Sequence, residues 1–394
     1  MPTRMGRQIG GTMKGGLIFV ALMGATWASA VDVYVMSSGE PGTDAAVMNA
    51  LTAQGHTPTL GVEYSWLDGT ASLAGYEAVY AQCNYNWANP DMPLAGQTQL
   101  ARFVANGGGL ILSEWCSWRM ANSALQRLVA LNPFQLTASY AFSIGGTFSL
   151  MTPDPVVSFG LPSSFSVVLT SYSGSNTLVF GVRPGGTEFH SFNDGLNVSV
   201  GLAGRAYGRG RVAAFSTTNG PGQFASTDFQ KLVGNTVQWT SNGAGGVTVS
   251  GHVDLEGWLP SPNGVEVEVL FWQGADTVHE APFVSLDGNG NFAIPVPLSG
   301  TYEVTVKASH WLRKRNATVA IGPGGVSGLG FSLINGDVDG NNLVDSDDFD
   351  RLVAGFGYMV GDPPFDVETD LNGTDNTDSD DFDILVANFG QQGD

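Results

Sequence analysis

The sequence predicts a multidomain chain in three parts: a parallel α/β sheet with added β structure, then a small β-sandwich, then a paired, acidic loop–helix module. Three observations carry this reading. Strand and helix patterns alternate from residue 31 to about 243, only strand patterns follow from 246 to 333, and residues 335–394 contain an acidic segment written twice. At 394 residues the chain also exceeds what one hydrophobic core usually supports.

Residues 1–30 read as a signal peptide. Arg4, Arg7 and Lys14 precede an apolar run from Leu17 to Trp27, and Ala28-Ser29-Ala30 supplies the small residues of a cleavage site. The run is too short to cross a bilayer, which takes roughly 20 residues. The mature chain is therefore expected to be secreted or held at the cell surface, with no transmembrane segment after cleavage. Of its charged residues, 13 are basic and 36 acidic, which argues against nucleic acid and anionic membrane as partners. Its two cysteines, Cys83 and Cys116, are bound for an oxidising compartment, where one disulfide is the simplest reading of both.

In the first part, "VDVYVMSS" is a strand, a helix covers about 44–53, and "HTPTLGV" and "YEAVYAQC" are strands. A second helix covers about 96–105 and "GLILSEW" follows. Each helix is the crossover that a parallel neighbour requires. Between 138 and 216 short alternating runs such as "FSVVLTSY", "NTLVFGV" and "RVAAFST" indicate appended β structure and a final strand. The helix "STDFQKLVGNTVQW" closes the part, with Ser226 or Thr227 as its N-cap. "NGAGG" at 242–246 reads as a linker. "VEVEVLF" and "TYEVTVKA" then alternate apolar and polar residues around the turn "DGNG", and "HWLRKR" at 310–315 reads as a solvated basic turn.

Residues 335–394 hold sixteen of the 36 acids and one base, Arg351. "DVDGNNLVDSDDFDRLVAGFG" from Asp337 recurs as "DLNGTDNTDSDDFDILVANFG" from Asp370, with thirteen of twenty-one positions identical. The acids are spaced, not merely dense. With Asp337 as position 1, Asp339, Asn341, Asp345 and Asp348 fall at 3, 5, 9 and 12, the side-chain ligand positions of a calcium loop. The second copy offers Asp370, Asn372, Thr374, Asp378 and Asp381. Two calcium ions are expected, the second held less tightly because Thr374 is a neutral ligand. Position 6, usually glycine, is Asn342 or Asp375. Val344 at position 8 is expected to pin the two loops together, and Phe349, Leu352, Val353 and Phe356 form one apolar stripe, repeated as Phe382, Leu385, Val386 and Phe389.

Paired loop–helix units of this kind resemble type I dockerin modules. The resemblance implies calcium binding and a cohesin-like partner chosen in part by Ser346, Asp347, Ser379 and Asp380, often within polysaccharide breakdown. Residues 246–333 resemble carboxypeptidase-regulatory or immunoglobulin-like modules. Residues 31–243 resemble the class I glutamine amidotransferase-like, flavodoxin-like fold, and within it the trehalose-utilisation type. That likeness rests on "QLARFVANGGGLILSEW", "DPVVSFGLPSSF" and "GRGRVAAFS" followed by "DFQKLVGNTVQW". The catalytic triad of that family is missing: "EWCSW" gives Cys116 no glycine-flanked elbow, "AAFSTTNG" supplies no histidine or glutamate, and His190 lies before the last strand. In such a fold Cys83 and Cys116 follow neighbouring strands, which places both sulfurs on one rim, near bridging distance.

Ligands of open α/β sheets bind at that rim. Three strand exits carry Glu63 and Trp66, then Tyr85 and Trp87, then Glu114, Trp115 and Trp118. Aromatic faces beside acids and amides suit a sugar. The sequence thus predicts a non-catalytic binder of a carbohydrate or envelope component. Two alternatives stay open: a glycan hydrolase using Glu114 with Glu63 or Asp91, and a purely structural surface protein.

Overall fold

A computed structural model of the chain describes residues 29–83, 91–169 and 175–394. Most of the expected signal peptide, together with Tyr85 and Trp87, lies outside the described residues.

The first strand, β1 (Asp32–Ser37), is buried along its middle, as a central parallel strand must be. Helix α1 (Pro41–Ala53) starts three residues earlier than the sequence suggested. Glu40 caps it by accepting the amides of Gly42 (3.1 Å) and Thr43 (2.5 Å), and Pro41 sits where its missing N–H costs nothing. Then follow β2 (Thr57–Glu63), β3 (Ala78–Ala81), α2 (Leu94–Ala105), β4 (Gly109–Leu112) and α3 (Glu114–Ala121). Next come the strands β5 (Tyr140–Phe142), β6 (Gly145–Leu150), β7 (Ser164–Val168), β8 (Ser175–Thr177), β9 (Gly186–Asn193), β10 (Val198–Tyr207) and β11 (Gly210–Phe215). Helices α4 (Pro221–Phe224) and α5 (Thr227–Ser241) end the unit, the latter capped by Ser226.

β2, β1, β3, β4 and β11 lie side by side and parallel, the doubly wound order of flavodoxin-like sheets. The added β structure expected from the sequence extends the parallel sheet itself. Among the described residues, β10, β9, β6 and β7 continue the same sheet antiparallel to nine strands, and only β5 and β8 pair apart. The hairpin from β10 to β11 turns at Gly208, where φ is +59° and a Cβ would strike the Ala105 backbone at 2.6 Å. Alternation along β1 sends Val33 and Val35 to the layer of α1 and α5, and Tyr34 and Met36 to the layer of α2 and α3.

A sandwich follows: β12 (Val247–Leu255), β13 (Glu266–Gln273), β14 (Asp276–Ser285), β15 (Asn291–Val296), β16 (Gly300–Ala308), β17 (Lys314–Ile321) and β18 (Val326–Leu333). The sheets β15-β12-β18 and β14-β13-β16-β17 enclose Phe271, Val304, Val306 and Trp311. The expected linker is packed into a seam. Ala244 donates to the Arg209 carbonyl at 2.6 Å, and Arg127 grips Glu266 through two bonds of 2.6 and 2.7 Å while lying over the Phe283 ring.

In the C-terminal part, α6 (Ser346–Gly355) and α7 (Ser379–Asn388) are capped by Asp345 and Asp378. The apolar stripe is narrower than its spacing suggested. Leu352 and Leu385 are fully buried and the Phe349 and Phe382 rings meet edge to face at 5.9 Å, but Val353, Phe356, Val386 and Phe389 face solvent. Val344 shares a buried cluster with Leu371 of the second loop, but its backbone does not pair with its counterpart Thr377. It pairs with Gly390 and Gln391 beyond α7, while Thr377 pairs with Gly357 and Tyr358 beyond α6, so each loop is tied to the end of the other helix. The "HWLRKR" segment is no solvated turn. His310, Trp311 and Leu312 are buried, and Arg313 holds Glu268 at 2.6 Å and the Asn342 side chain through its amide at 2.7 Å.

Candidate functional site

The rim at the carboxyl ends of β3 and β4 is built by the turn into α3. Ser113 leaves β4 in extended conformation and the helix begins at the next residue, so Cys116 lies one turn inside it, facing the core. The Cys83 and Cys116 sulfurs are 2.8 Å apart as unbonded thiols, both 1 % exposed. Burial, and then the contact with Cys116, pushes the Cys83 thiol well above its ordinary value. Cys83, so raised, is a poor nucleophile. His190 cannot serve Cys116, because β11 and β10 separate β9 from β4, roughly 14 Å at strand spacing. Its ring is buried and its proton affinity lowered to about 4 by that burial.

Two of the three carboxylates expected to form a hydrolytic pair have partners of their own. Asp91 is ion-paired with Arg119, whose guanidinium also lies over the Tyr64 ring at 5.1 Å. Glu63 accepts the Ser65 hydroxyl. The side chain of Glu114 lies outside the described atoms.

The aromatic residues do converge. Trp115 and Trp118 stand one turn apart on α3, and Tyr140 and Phe142 alternate on β5, so each pair shares a face of its element. The four rings form a continuous chain: Trp115 to Trp118 at 5.2 Å, Trp118 to Tyr140 at 6.4 Å, Tyr140 to Phe142 at 5.1 Å, mostly edge to face. Trp118 is fixed by its indole N–H on the Ala138 carbonyl at 3.1 Å. The chain opens outward, Phe142 being 65 % exposed and Tyr140 41 %. Trp66, on the single turn after β2, is exposed and has no ring contact with this group among the described residues. Tyr140 and Phe142 were missed in the sequence, although "SYAF" alternates as a strand presenting two rings does.

The acidic loops have a shared geometry. Asp348 accepts the amides of Asp339 (2.9 Å) and Asp345 (2.8 Å), one on each oxygen, and Asp381 does the same for Asn372 (3.0 Å) and Asp378 (2.8 Å). Position 1 of each loop accepts the amide of position 6, Asn342 on Asp337 at 3.1 Å and Asp375 on Asp370 at 2.9 Å. Asn342 and Asp375 adopt the left-handed region, φ +73° and +66°, and so take the turn that glycine usually makes. Burial holds the Asp348 and Asp381 carboxyls above the usual range. Oxygens of Asp337, Asp339 and Asp348 lie within 4.8 Å of one another. Hard oxygen donors at that separation fit a calcium ion.

No family model matches the chain, and no curated protein does. Among solved structures, a cytoplasmic protein from Salmonella typhimurium LT2 is similar over 53% of this chain and 98% of its own, with 13% identity and a TM-score of 0.42. A ThuA-like protein from Parabacteroides merdae is similar over 54% of this chain and 90% of its own, at 12% identity and TM-score 0.39. A type II cohesin–X-dockerin complex from Acetivibrio cellulolyticus is similar over 38% of this chain and 98% of its own, at 22% identity and TM-score 0.32. At these values no residue role passes from them to this chain. Among the described residues no helix is long and apolar enough to cross a membrane.

Proposed function

We propose that this is an exported, calcium-binding protein whose first domain holds a carbohydrate or another envelope component without turning it over, and whose C-terminal repeat docks it to a cohesin-like partner. The observation that carries the reading is the outward-opening chain of Trp115, Trp118, Tyr140 and Phe142 on the rim. Ring faces of this kind stack on the apolar faces of sugars, while the neighbouring polar groups bond hydroxyls.

In the repeat, Asp337, Asp339, Asn341, Asp345 and Asp348 would hold one calcium ion, and Asp370, Asn372, Thr374, Asp378 and Asp381 a second. The ion's charge offsets the repulsion among these acids, which otherwise opposes folding. Ser346, Asp347, Ser379 and Asp380 are exposed on the first turns of α6 and α7 and supply the related surfaces for docking. In the oxidising compartment we expect Cys83 and Cys116, already in contact, to close a disulfide.

The test incubates residues 31–394 with insoluble polysaccharides in calcium and scores retained protein and released reducing ends together. Retention without reducing ends supports the reading. Reducing ends would make the protein a hydrolase, and neither signal would leave a structural protein.

A further inference from the structure

The first calcium loop is touched by a residue from outside the repeat. Lys307, on β16 of the sandwich, places its amine 2.5 Å from Oδ2 of Asp337 and spends its other donors on the carbonyls of Trp311 (2.8 Å) and Ser309 (3.3 Å). The Asp337 side chain is fully buried and that of Lys307 is 15 % exposed. Among the described residues no cation approaches the matching Asp370. Its oxygens accept only the amides of Gly373, Thr374 and Asp375. Against that loop the sandwich sets the Trp258 ring and the Leu259 amide, which donates to the Asn372 carbonyl at 3.0 Å.

We infer that Lys307 is a built-in cation at the first loop, ordering it without a divalent ion and making it the weaker of the two calcium sites. The inference rests on the calcium reading above and reverses the order that Thr374 alone suggests. Without metal, the ammonium offsets the repulsion among Asp337, Asp339 and Asp348. With metal, the same ammonium faces a divalent ion across one carboxylate, in a buried setting where salt screens little. Both effects reduce what the first loop gains by binding.

Calorimetric titration of calcium into residues 31–394 tests this, in an Asp370→Ala background so that only the first loop is read. Lys307→Met should tighten binding by about tenfold or more. It should also make residues 335–394 more sensitive to protease in chelator. Lys307→Arg keeps the charge and should keep the weak affinity and the resistance. If Lys307 were only structural glue, Lys307→Met would weaken or leave unchanged the first-loop affinity, and either result overturns the inference while calcium uptake itself stands. No uptake by the parent protein would overturn the calcium reading, and the inference with it.

Discussion

His190 offers a pH dependence that can be worked from the structure. It lies in β9 with no exposed surface, and neither ring nitrogen has a hydrogen-bond partner. Burial alone lowers its proton affinity from 6.5 to about 4. As pH falls, the unfolded chain therefore takes up this proton first. Stability from the neutral ring is intact above about 6.5 and is lost as pH drops toward 4, by about 3 kcal/mol at 1.36 kcal/mol per pH unit. His190→Leu fills the site with an apolar side chain and removes the term. Denaturant unfolding of both proteins at several pH values between 8 and 4, followed by circular dichroism, should show the parent losing stability over that window and the variant losing about 3 kcal/mol less. Glu188, raised by burial, and His279, lowered to about 3, contribute equally to both proteins and cancel in the difference. Identical pH slopes would refute the reasoning and mean that the ring finds a partner or water in solution.

Two further outcomes follow from the packing. Closing Cys83 to Cys116 after export should add roughly 3 to 4 kcal/mol by restricting the unfolded chain, and non-reducing peptide mapping should find the linked pair; two free thiols would exclude it. Leu352→Ala should cost about 2 to 5 kcal/mol. The core of the C-terminal part has few buried residues to share the loss, so limited digestion should open 335–394 while the first domain stays intact.

The parallel half of the sheet was legible because each central strand is a short apolar run buried on both faces, and each crossover helix shows its own period. β7 was read as a strand and β6, β9 and β10 only as unspecified added β structure, and none was placed beside β11. Strand order depends on contacts such as Gly208 against Ala105, which no local pattern reports. The start of α1 was hidden because Glu40 is an unusual N-cap. The repeat and the spacing of its acids were plain, since both are fixed along the chain, but the exposure of Val353 and Phe356 was not: a 3.6-residue period gives the apolar face without saying how much of it is covered. Tyr140 joins Trp118 across twenty-two residues, and Lys307 joins Asp337 across thirty, so both contacts exist only in the fold.

The most direct test of the central claim is retention of residues 31–394 on insoluble polysaccharide, compared with Trp118→Ala and Phe142→Ala. Phe142 is largely exposed, so its loss should leave the fold intact, and Trp118→Ala is checked for folding by circular dichroism. The account predicts that the parent is retained, that each variant weakens retention by about tenfold or more, and that no reducing ends appear. Equal retention of all three proteins would contradict it and place the binding surface elsewhere on the chain.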